Sequence, residues 1–342
     1  MTAQRDSADS TITALLDLIG AHRITAIIYV AVRLGVVDAL LDGPQPAQRL
    51  AERSESDERS LRRLLRALVA LGVCEQQGDR FALTALGRPL AGNAEPSLKP
   101  WALFEGELLY RSWAGLLDSI RSGKTAAELA RVDDTFELMA RNPAHVQTFN
   151  AAMVAFTHLI APDVLDAYDF SGIRKLMDVG GGYGELLCAI LRAYPSLHGA
   201  VFDLPRCAEN ATRQFSDAGL SGRAEFISGS FFDSVPTGAD AILMKSIIHD
   251  WNDARSIAIL TNCRRALPGG GRLLLVERLM PEQVEVTVQD RFVTLSDVNM
   301  LRGPGGCERT EREYRELLQA GGFTMASIRP AGRMAVIEAR VG

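Results

Sequence analysis

The stretch LMDVGGGYG, residues 176–184, decides the fold of this chain. Its first half is typical of an apolar strand, and its glycines form a turn that opens a helix. Glycine lets the backbone approach a ligand closely, and the first turn of a helix offers free N–H groups. A ligand of nucleotide type would lie beyond the carboxyl ends of the strands of such a sheet. The spacing differs from the G-x-G-x-x-G pattern, so the stretch does not predict an NAD site.

The residues that follow predict a parallel sheet. Apolar runs alternate with helical stretches at about 184–194, 206–218 and 253–266, a pattern typical of a doubly wound sheet with helices on both faces. The runs are KLMDVG, GAVFDL, AEFISG, ADAILMKS and GRLLLVERL. The last two runs, TMASIRPA and MAVIEARV, have only Gly332 and Arg333 between them. A connection that short joins antiparallel strands.

The first half of the chain has a different organisation. Residues 47–53 predict a short helix, and the segment DERSLRRLLRALVALG predicts a longer one, capped by Ser56 or Asp57 and ending at Gly72. The next segment, VCEQQGDRFALT, predicts a β-hairpin. Helix, helix and hairpin is the order of a winged helix. We therefore expect an N-terminal domain at 1–95, a helical linker at 96–170 that contributes to the active site, and a catalytic domain at 171–342.

Composition excludes several classes of protein. The 342 residues are 47% hydrophobic, enough for two domains with cores, and the net charge of −5 argues against binding to nucleic acid or to an acidic membrane surface. No run reaches the ~18 apolar residues of a membrane helix. Five scattered cysteines without a C-x-x-C pair predict neither a zinc knuckle nor a disulfide framework, so we expect a cytoplasmic protein.

Polar residues follow four of the strands at the same edge of the predicted sheet. Asp203 lies about 20 residues after the glycine turn, where an acid can bind a ribose diol. Ser230 and Phe231 follow the third strand and are suited to binding and stacking an adenine. His249 follows the fourth strand and Glu277 ends the fifth. Together these positions predict one ligand site with a titratable pair beside it.

These blocks in this order identify a resemblance. The chain resembles the caffeate-type S-adenosylmethionine (SAM)-dependent O-methyltransferases and their bacterial polyketide-tailoring relatives over nearly its whole length. The matching blocks are FNAAM (149–153), DVGGGYG, VFDLP, GSFFDSVP, LMKSIIHDW, VERLMP and GGCERT. The resemblance implies a mostly helical winged-helix dimerisation domain and a seven-stranded Rossmann-like catalytic domain. It also implies a homodimer that methylates a hydroxyl group of a small aromatic or polycyclic natural product.

The resemblance also assigns roles to individual residues. It implies His249 as general base and Glu277 and Glu308 as the carboxylates that flank it. The implied SAM-binding residues are Gly180, Gly182, Asp203, Leu204, Ser230, Phe231 and Lys245. The candidates for binding the acceptor are Trp101, Phe104, Phe149, Met153, Asn299 and Met300. Many family members carry Asp where Ser230 stands, but a hydroxyl can still accept from the adenine amino group.

Alternative interpretations remain open at this point. A base beside a carbon or nitrogen nucleophile would give the same pattern, so C- or N-methylation and divergent SAM-dependent chemistry are alternatives. A SAM-sensing DNA-binding regulator is a remote one, because residues 1–100 carry twelve basic and twelve acidic residues and a DNA-binding module is basic. His249 could be a structural histidine, and Glu308 a solvated acid before a helix that Thr310 caps. We expect no catalytic metal, and a neutral His249 with a pKa near ~6.5.

Overall fold

The computed structural model describes residues 2–132 and 135–341, with side chains from Thr11 onward. The chain divides into two compact units. Unit 1 comprises Met1–Ala114 and Gln147–Ala155, and unit 2 comprises Gly115–Val146 and Phe156–Gly342.

Unit 1 contains short helices and a small antiparallel sheet. Its helices are α1 (Thr2–Gly20), α2 (His22–Arg33), α3 (Val36–Ala39), α4 (Ala47–Arg53), α5 (Glu58–Ala70), α6 (Lys99–Phe104) and α7 (Tyr110–Trp113). Its strands are β1 (Gln45–Pro46), β2 (Cys74–Gln77) and β3 (Arg80–Leu83), in the order β1-β3-β2. The predicted order of helix, helix and hairpin is therefore present.

The longest of the winged-helix elements shows why this unit folds. Asp57 caps α5 by accepting the N–H of Ser60 at 2.8 Å. Leu61, Leu65 and Leu68 recur at helical spacing along α5 and are buried. They pack in one core with Phe81 of the hairpin. The apolar stripe of α5 is thus used inside unit 1, as its spacing predicts.

Unit 2 carries a seven-stranded sheet. Its helices are α8 (Leu116–Ser122), α9 (Ala126–Leu129), α10 (Thr135–Ala140), α11 (Pro143–Ala167), α12 (Glu185–Ala193), α13 (Ala208–Asp217), α14 (Asp253–Ala266), α15 (Val288–Arg302) and α16 (Glu311–Ala320). Residues 147–155 of α11 belong to unit 1. The strands are β4 (Lys175–Val179), β5 (His198–Asp203), β6 (Ala224–Ser228), β7 (Ala241–Lys245), β8 (Arg272–Glu277), β9 (Phe323–Ala331) and β10 (Met334–Val341).

The strand order, β6-β5-β4-β7-β8-β10-β9, positions the site. Strands β4 to β8 pair in parallel, and β10 pairs antiparallel to both β8 and β9. The predicted α/β class, seven strands and antiparallel last pair are confirmed. The chain runs outward from β4 to β6 and then returns to β7, so the direction of winding reverses between β4 and β7. Ligands bind at the carboxyl ends of strands at such a switch point.

Two segments have the length and composition of membrane-crossing helices. They are α11 and the bent pair of helices formed by residues 11–20 and 22–33. Helices in the cores of soluble proteins often have the same length and composition. In α11, Ala152, Ile160 and Val164 are buried, and Pro162 interrupts the apolar sequence.

Candidate active site

The glycine turn after β4 has the geometry that requires glycine. Gly180 has φ +74°, and a side chain there would place its Cβ 2.5 Å from Ile247 Cδ1. A Cβ on Gly181 would come within 2.5 Å of the Asp178 carboxyl group, which is buried beneath the turn. Glycine is therefore required for the turn to pack closely at the carboxyl end of β4, just before α12 begins.

Asp203 is held at the end of β5 by two backbone N–H groups. Gly182 donates to Oδ2 at 2.8 Å, and Leu204 donates to Oδ1 at 2.6 Å. Burial raises the pKa of Asp203, and these two hydrogen bonds oppose that rise. Each carboxylate oxygen can accept more than one hydrogen bond, so both retain capacity for a diol. The turn and the acid together fit the ribose of an adenosyl group.

The other predicted cofactor residues follow β6 and β7. Ser230 accepts the N–H of Phe232 at 3.2 Å, and the Phe231 ring lies 3.6 Å from the position a Gly180 Cβ would take. Lys245 ends β7, and burial lowers its pKa while the Asp178 carboxylate raises it. Glycine turn, acid, aromatic ring and lysine thus follow four neighbouring strands. Such an edge fits the adenosine part of SAM.

His249 lies in a short 3₁₀ turn after β7 and is 5% exposed. Its Nδ1 lies 3.0 Å from Glu308 Oε1 and 3.9 Å from Glu277 Oε2. Its Nε2 lies 3.4 Å from Asp250 Oδ1. In a neutral ring the Nδ1–H donates to the Glu308 carboxylate, so the lone pair resides on Nε2.

The expected pKa of His249 is corrected by the structure. Burial lowers this pKa, but the carboxylates of Glu308, Glu277 and Asp250 outweigh the burial and raise it to about 9. The fold, and not the local sequence, determines how many carboxylates surround the His249 ring, so the sequence alone predicts only the ordinary pKa of histidine. The His249 side chain is therefore mostly an imidazolium at neutral pH.

The two flanking glutamates differ in what they hold. Glu277 ends β8 and is fully buried, and its Oε1 accepts the N–H groups of Ile247 at 3.0 Å and Ile248 at 2.9 Å. It therefore anchors the turn that carries His249. Glu308 is 4% exposed, so it is not a solvated acid. Thr310 caps α16 in a capping box with Glu313. Glu308 is not part of this cap, and its carboxylate pairs with His249 instead.

Three side chains of this cluster are absent from the sequence-based expectations. Ser296 Oγ donates to Glu308 Oε1 at 2.5 Å from α15. Arg278 Nη1 lies 3.5 Å from the same oxygen, and its guanidinium stacks between the rings of Phe156 and Phe292 at 5.2 and 5.0 Å. Asp250 faces Nε2, and burial raises its pKa to about 7. Only Asp250 and Arg278 carried a sequence signal, since each directly follows a predicted site residue.

The predicted acceptor residues fall in both units. Within unit 1, Trp101 and Phe104 pack edge to face with centroids 5.6 Å apart, and Phe104 and Phe149 do so at 5.8 Å. Met153 is half-buried one turn beyond Phe149 on α11. Within unit 2, Asn299 and Met300 lie on α15, the helix that also carries Ser296. His158, which lies further along α11, pairs with Glu185 at 2.6 Å.

Comparison with known families assigns both parts of the chain. Residues 16–93 match the O-methyltransferase dimerisation domain, and residues 113–324 match the O-methyltransferase domain. Among curated relatives, the chain is 38% identical to phenazine O-methyltransferase PhzM from Lysobacter antibioticus, over 95% of both chains.

Solved structures give the same family. The structure of LaPhzM is 37% identical with a TM-score of 0.92, covering 97% of this chain and 99% of that one. The O-methyltransferase NcsB1 from neocarzinostatin biosynthesis, in complex with SAM and 2-hydroxy-5-methyl naphthoic acid, is 31% identical. Its TM-score is 0.80, with 93% and 96% of the two chains covered. The chain therefore belongs to the family of SAM-dependent O-methyltransferases that carry an N-terminal dimerisation domain and that include enzymes of natural-product tailoring.

Proposed function

We propose that this enzyme methylates a hydroxyl group of a small aromatic or polycyclic natural product, with His249 as the general base. The observation that supports the proposal is the pairing of Nδ1 of the buried His249 with Glu308 at 3.0 Å, which leaves Nε2 as the nitrogen that can accept a proton. Relatives named for phenazine methylation and a naphthoic acid complex support an aromatic acceptor.

The methyl donor belongs at the carboxyl ends of β4 to β7. We assign its binding to Gly180, Gly182, Asp203, Leu204, Ser230, Phe231 and Lys245, because these residues offer a glycine turn before a helix, an acid with free lone pairs, and an aromatic ring. When bound, SAM supplies an already activated methyl group. The chain's contribution is then mainly to align the acceptor oxygen and to accept its proton.

The carboxylates make His249 a stronger base than an ordinary histidine. A phenol has a pKa near ~10, so proton transfer to a base of pKa ~6.5 costs about 5 kcal/mol. Transfer to a base of pKa about 9 costs only about 1.4 kcal/mol. The same shift leaves only a small neutral fraction at pH 7. Glu308 and Glu277 thus stabilise the imidazolium that forms as the methyl group is transferred.

C- or N-methylation on the same fold remains the alternative proposal. It requires the same base, so the structure of the histidine cluster favours neither. The chemical class of the methylated product decides between them.

We also propose a cytoplasmic homodimer formed through the N-terminal domain. The match of residues 16–93 to a dimerisation domain supports the assembly. Four of the five cysteines, Cys74, Cys188, Cys207 and Cys263, are buried free thiols, which supports a reducing compartment.

The experiment that tests the proposal begins with isothermal titration of SAM and its demethylated product into the wild type, Asp203→Ala and Asp217→Ala. Asp217 is an exposed acid at the end of α13 and serves as the matched control. We expect binding by the wild type and the control and none by Asp203→Ala. Screening phenols and hydroxyquinones with labelled SAM then identifies the acceptor. Absence of binding by the wild type would contradict the proposed function.

A further inference from the structure

Glu277 and Glu308 each have one oxygen with hydrogen-bond partners and one oxygen without. Glu277 Oε1 accepts two backbone N–H groups, and Glu308 Oε1 accepts from Ser296 and faces His249 Nδ1. Among the described residues, the second oxygens, Glu277 Oε2 and Glu308 Oε2, are buried without a hydrogen-bond partner. A buried carboxyl oxygen without a partner is costly, so each of these two atoms favours a cation beside it.

The distances within this cluster suit a small metal ion. One ligand atom from each of His249, Glu277 and Glu308 lies within 4.8 Å of the other two. Zinc binds nitrogen and carboxylate oxygen at about 2.0–2.2 Å, so tetrahedral ligands lie roughly 3.4 Å apart. The separations from Nδ1 are 3.0 Å to Glu308 Oε1, the oxygen that also accepts from Ser296, and 3.9 Å to the unpartnered Glu277 Oε2, and they lie on either side of that value. Small side-chain movements would bring all three onto one ion.

The side chains at the cluster also supply the types of donor atom that a zinc-like ion prefers. Glu277, Glu308 and Asp250 supply three carboxylates. Two cations face these groups. Arg278 Nη1 lies 3.5 Å from Glu308 Oε1. The other is Lys245, and the carboxylate that raises its pKa most is Asp178. An imidazole with two carboxylates is a ligand set for zinc-like ions rather than for magnesium.

We propose that His249, Glu277 and Glu308 form a binding site for Zn²⁺, and that Zn²⁺ bound there inhibits methyl transfer. Coordination uses the Nδ1 lone pair, so the imidazolium releases its Nδ1 proton to solvent and keeps the proton on Nε2. A ring with a proton on Nε2 cannot accept one from the acceptor. The inhibitory half of this proposal rests on the proposed function of His249, whereas the binding half does not.

The binding half is tested with Co²⁺, whose tetrahedral complexes absorb visible light. We expect one equivalent of Co²⁺ per chain in the wild type, displaced by Zn²⁺. The absorption band should be lost in Glu308→Gln and His249→Gln and retained in Cys307→Ser. Cys307 is a half-buried thiol next to Glu308 and is the matched control for adventitious binding. A circular dichroism spectrum of each variant verifies folding. Absence of the band in the wild type, or its survival in Glu308→Gln, would overturn the site.

The inhibitory half is tested by methyl transfer in the presence of Zn²⁺. We expect activity to fall as the site fills and to return on addition of EDTA, in the wild type and in Cys307→Ser alike. Stoichiometric Co²⁺ binding without inhibition by Zn²⁺ would contradict both the inhibition and the role of Nε2 as base, while the metal site would stand. A wild type inactive on every acceptor would count against the proposed function alone, because the absorption band is measured without turnover.

Discussion

At the scale of single residues, the histidine is tuned by charges that surround it. Burial would lower the pKa of His249, but three carboxylates raise it to about 9. Glu308, the nearest, has a lowered pKa despite its burial, because His249 and Arg278 stabilise its charge. The two side chains therefore form an ion pair at neutral pH, and His249 must lose its Nε2 proton before it can accept the proton of the acceptor.

This tuning predicts how the reaction depends on pH. The base is active when deprotonated, so kcat/KM should rise from pH 7 with a midpoint near pH 9 and level off only at higher pH. Glu308→Gln removes the largest charge that raises the pKa, so the midpoint should move to lower pH while the maximal rate falls. Steady-state rates across pH 6–10, with donor affinity measured at each pH, verify this. A wild-type profile with a midpoint near 6.5 would contradict the influence of the carboxylates.

At the scale of elements, the loop that carries Glu308 packs closely against the turn that carries His249. Gly306 packs against the backbone of residues 249–251, and a Cβ there would collide with the carbonyl oxygen of His249. The loop that carries Glu308 can therefore meet the turn that carries His249 only if residue 306 is glycine.

Gly306→Ala should displace Glu308 from His249. We expect a loss of stability of about 1–3 kcal/mol from overpacking, and a large fall in kcat with SAM affinity retained. Gly269→Ala is the matched control, because a Cβ there has open space and its backbone does not adopt positive φ. The stability of both variants is measured by thermal unfolding, and their kcat by steady-state kinetics. Equal behaviour of the two variants would show that the close approach does not hold the site.

Sequence patterns predicted the elements better than the contacts between them. Alternating strands and helices, and the two-residue connection at Gly332, were sufficient for the seven-stranded sheet. Two contacts of the site join residues that are distant in sequence. Glu277 accepts hydrogen bonds from the backbone of Ile247 and Ile248, and Ser296 donates one to Glu308. No local pattern encodes such contacts, and no pattern encodes the burial that sets their pKa values.

At the scale of the whole molecule, α1 presents an apolar stripe. Ile12, Leu15, Leu16 and Ile19 recur at helical spacing, and each is more than half exposed in the single chain. A stripe of this kind marks an interaction surface. Leu16 and Ile19 lie at the start of the segment that matches the dimerisation domain, and Ile12 and Leu15 directly precede it.

Replacing the stripe should therefore dissociate the assembly. We expect the triple change Ile12→Ser, Leu16→Ser and Ile19→Ser to convert a dimer into a monomer, measured by light scattering after size-exclusion chromatography. Val286→Ser, in a fully exposed position of unit 2, is the control and should remain dimeric. A dimer that survives the triple change would place the interface elsewhere.

The central claim, that His249 accepts the acceptor's proton, is tested most directly by the single-turnover rate of His249→Gln. A general base contributes roughly 100- to 10,000-fold, so the variant should slow methyl transfer by that factor. SAM affinity should stay at the wild-type value, and His198→Gln, an exposed histidine at the start of β5, should keep the full rate. A His249→Gln enzyme that transfers the methyl group within a few-fold of the wild-type rate would contradict the account.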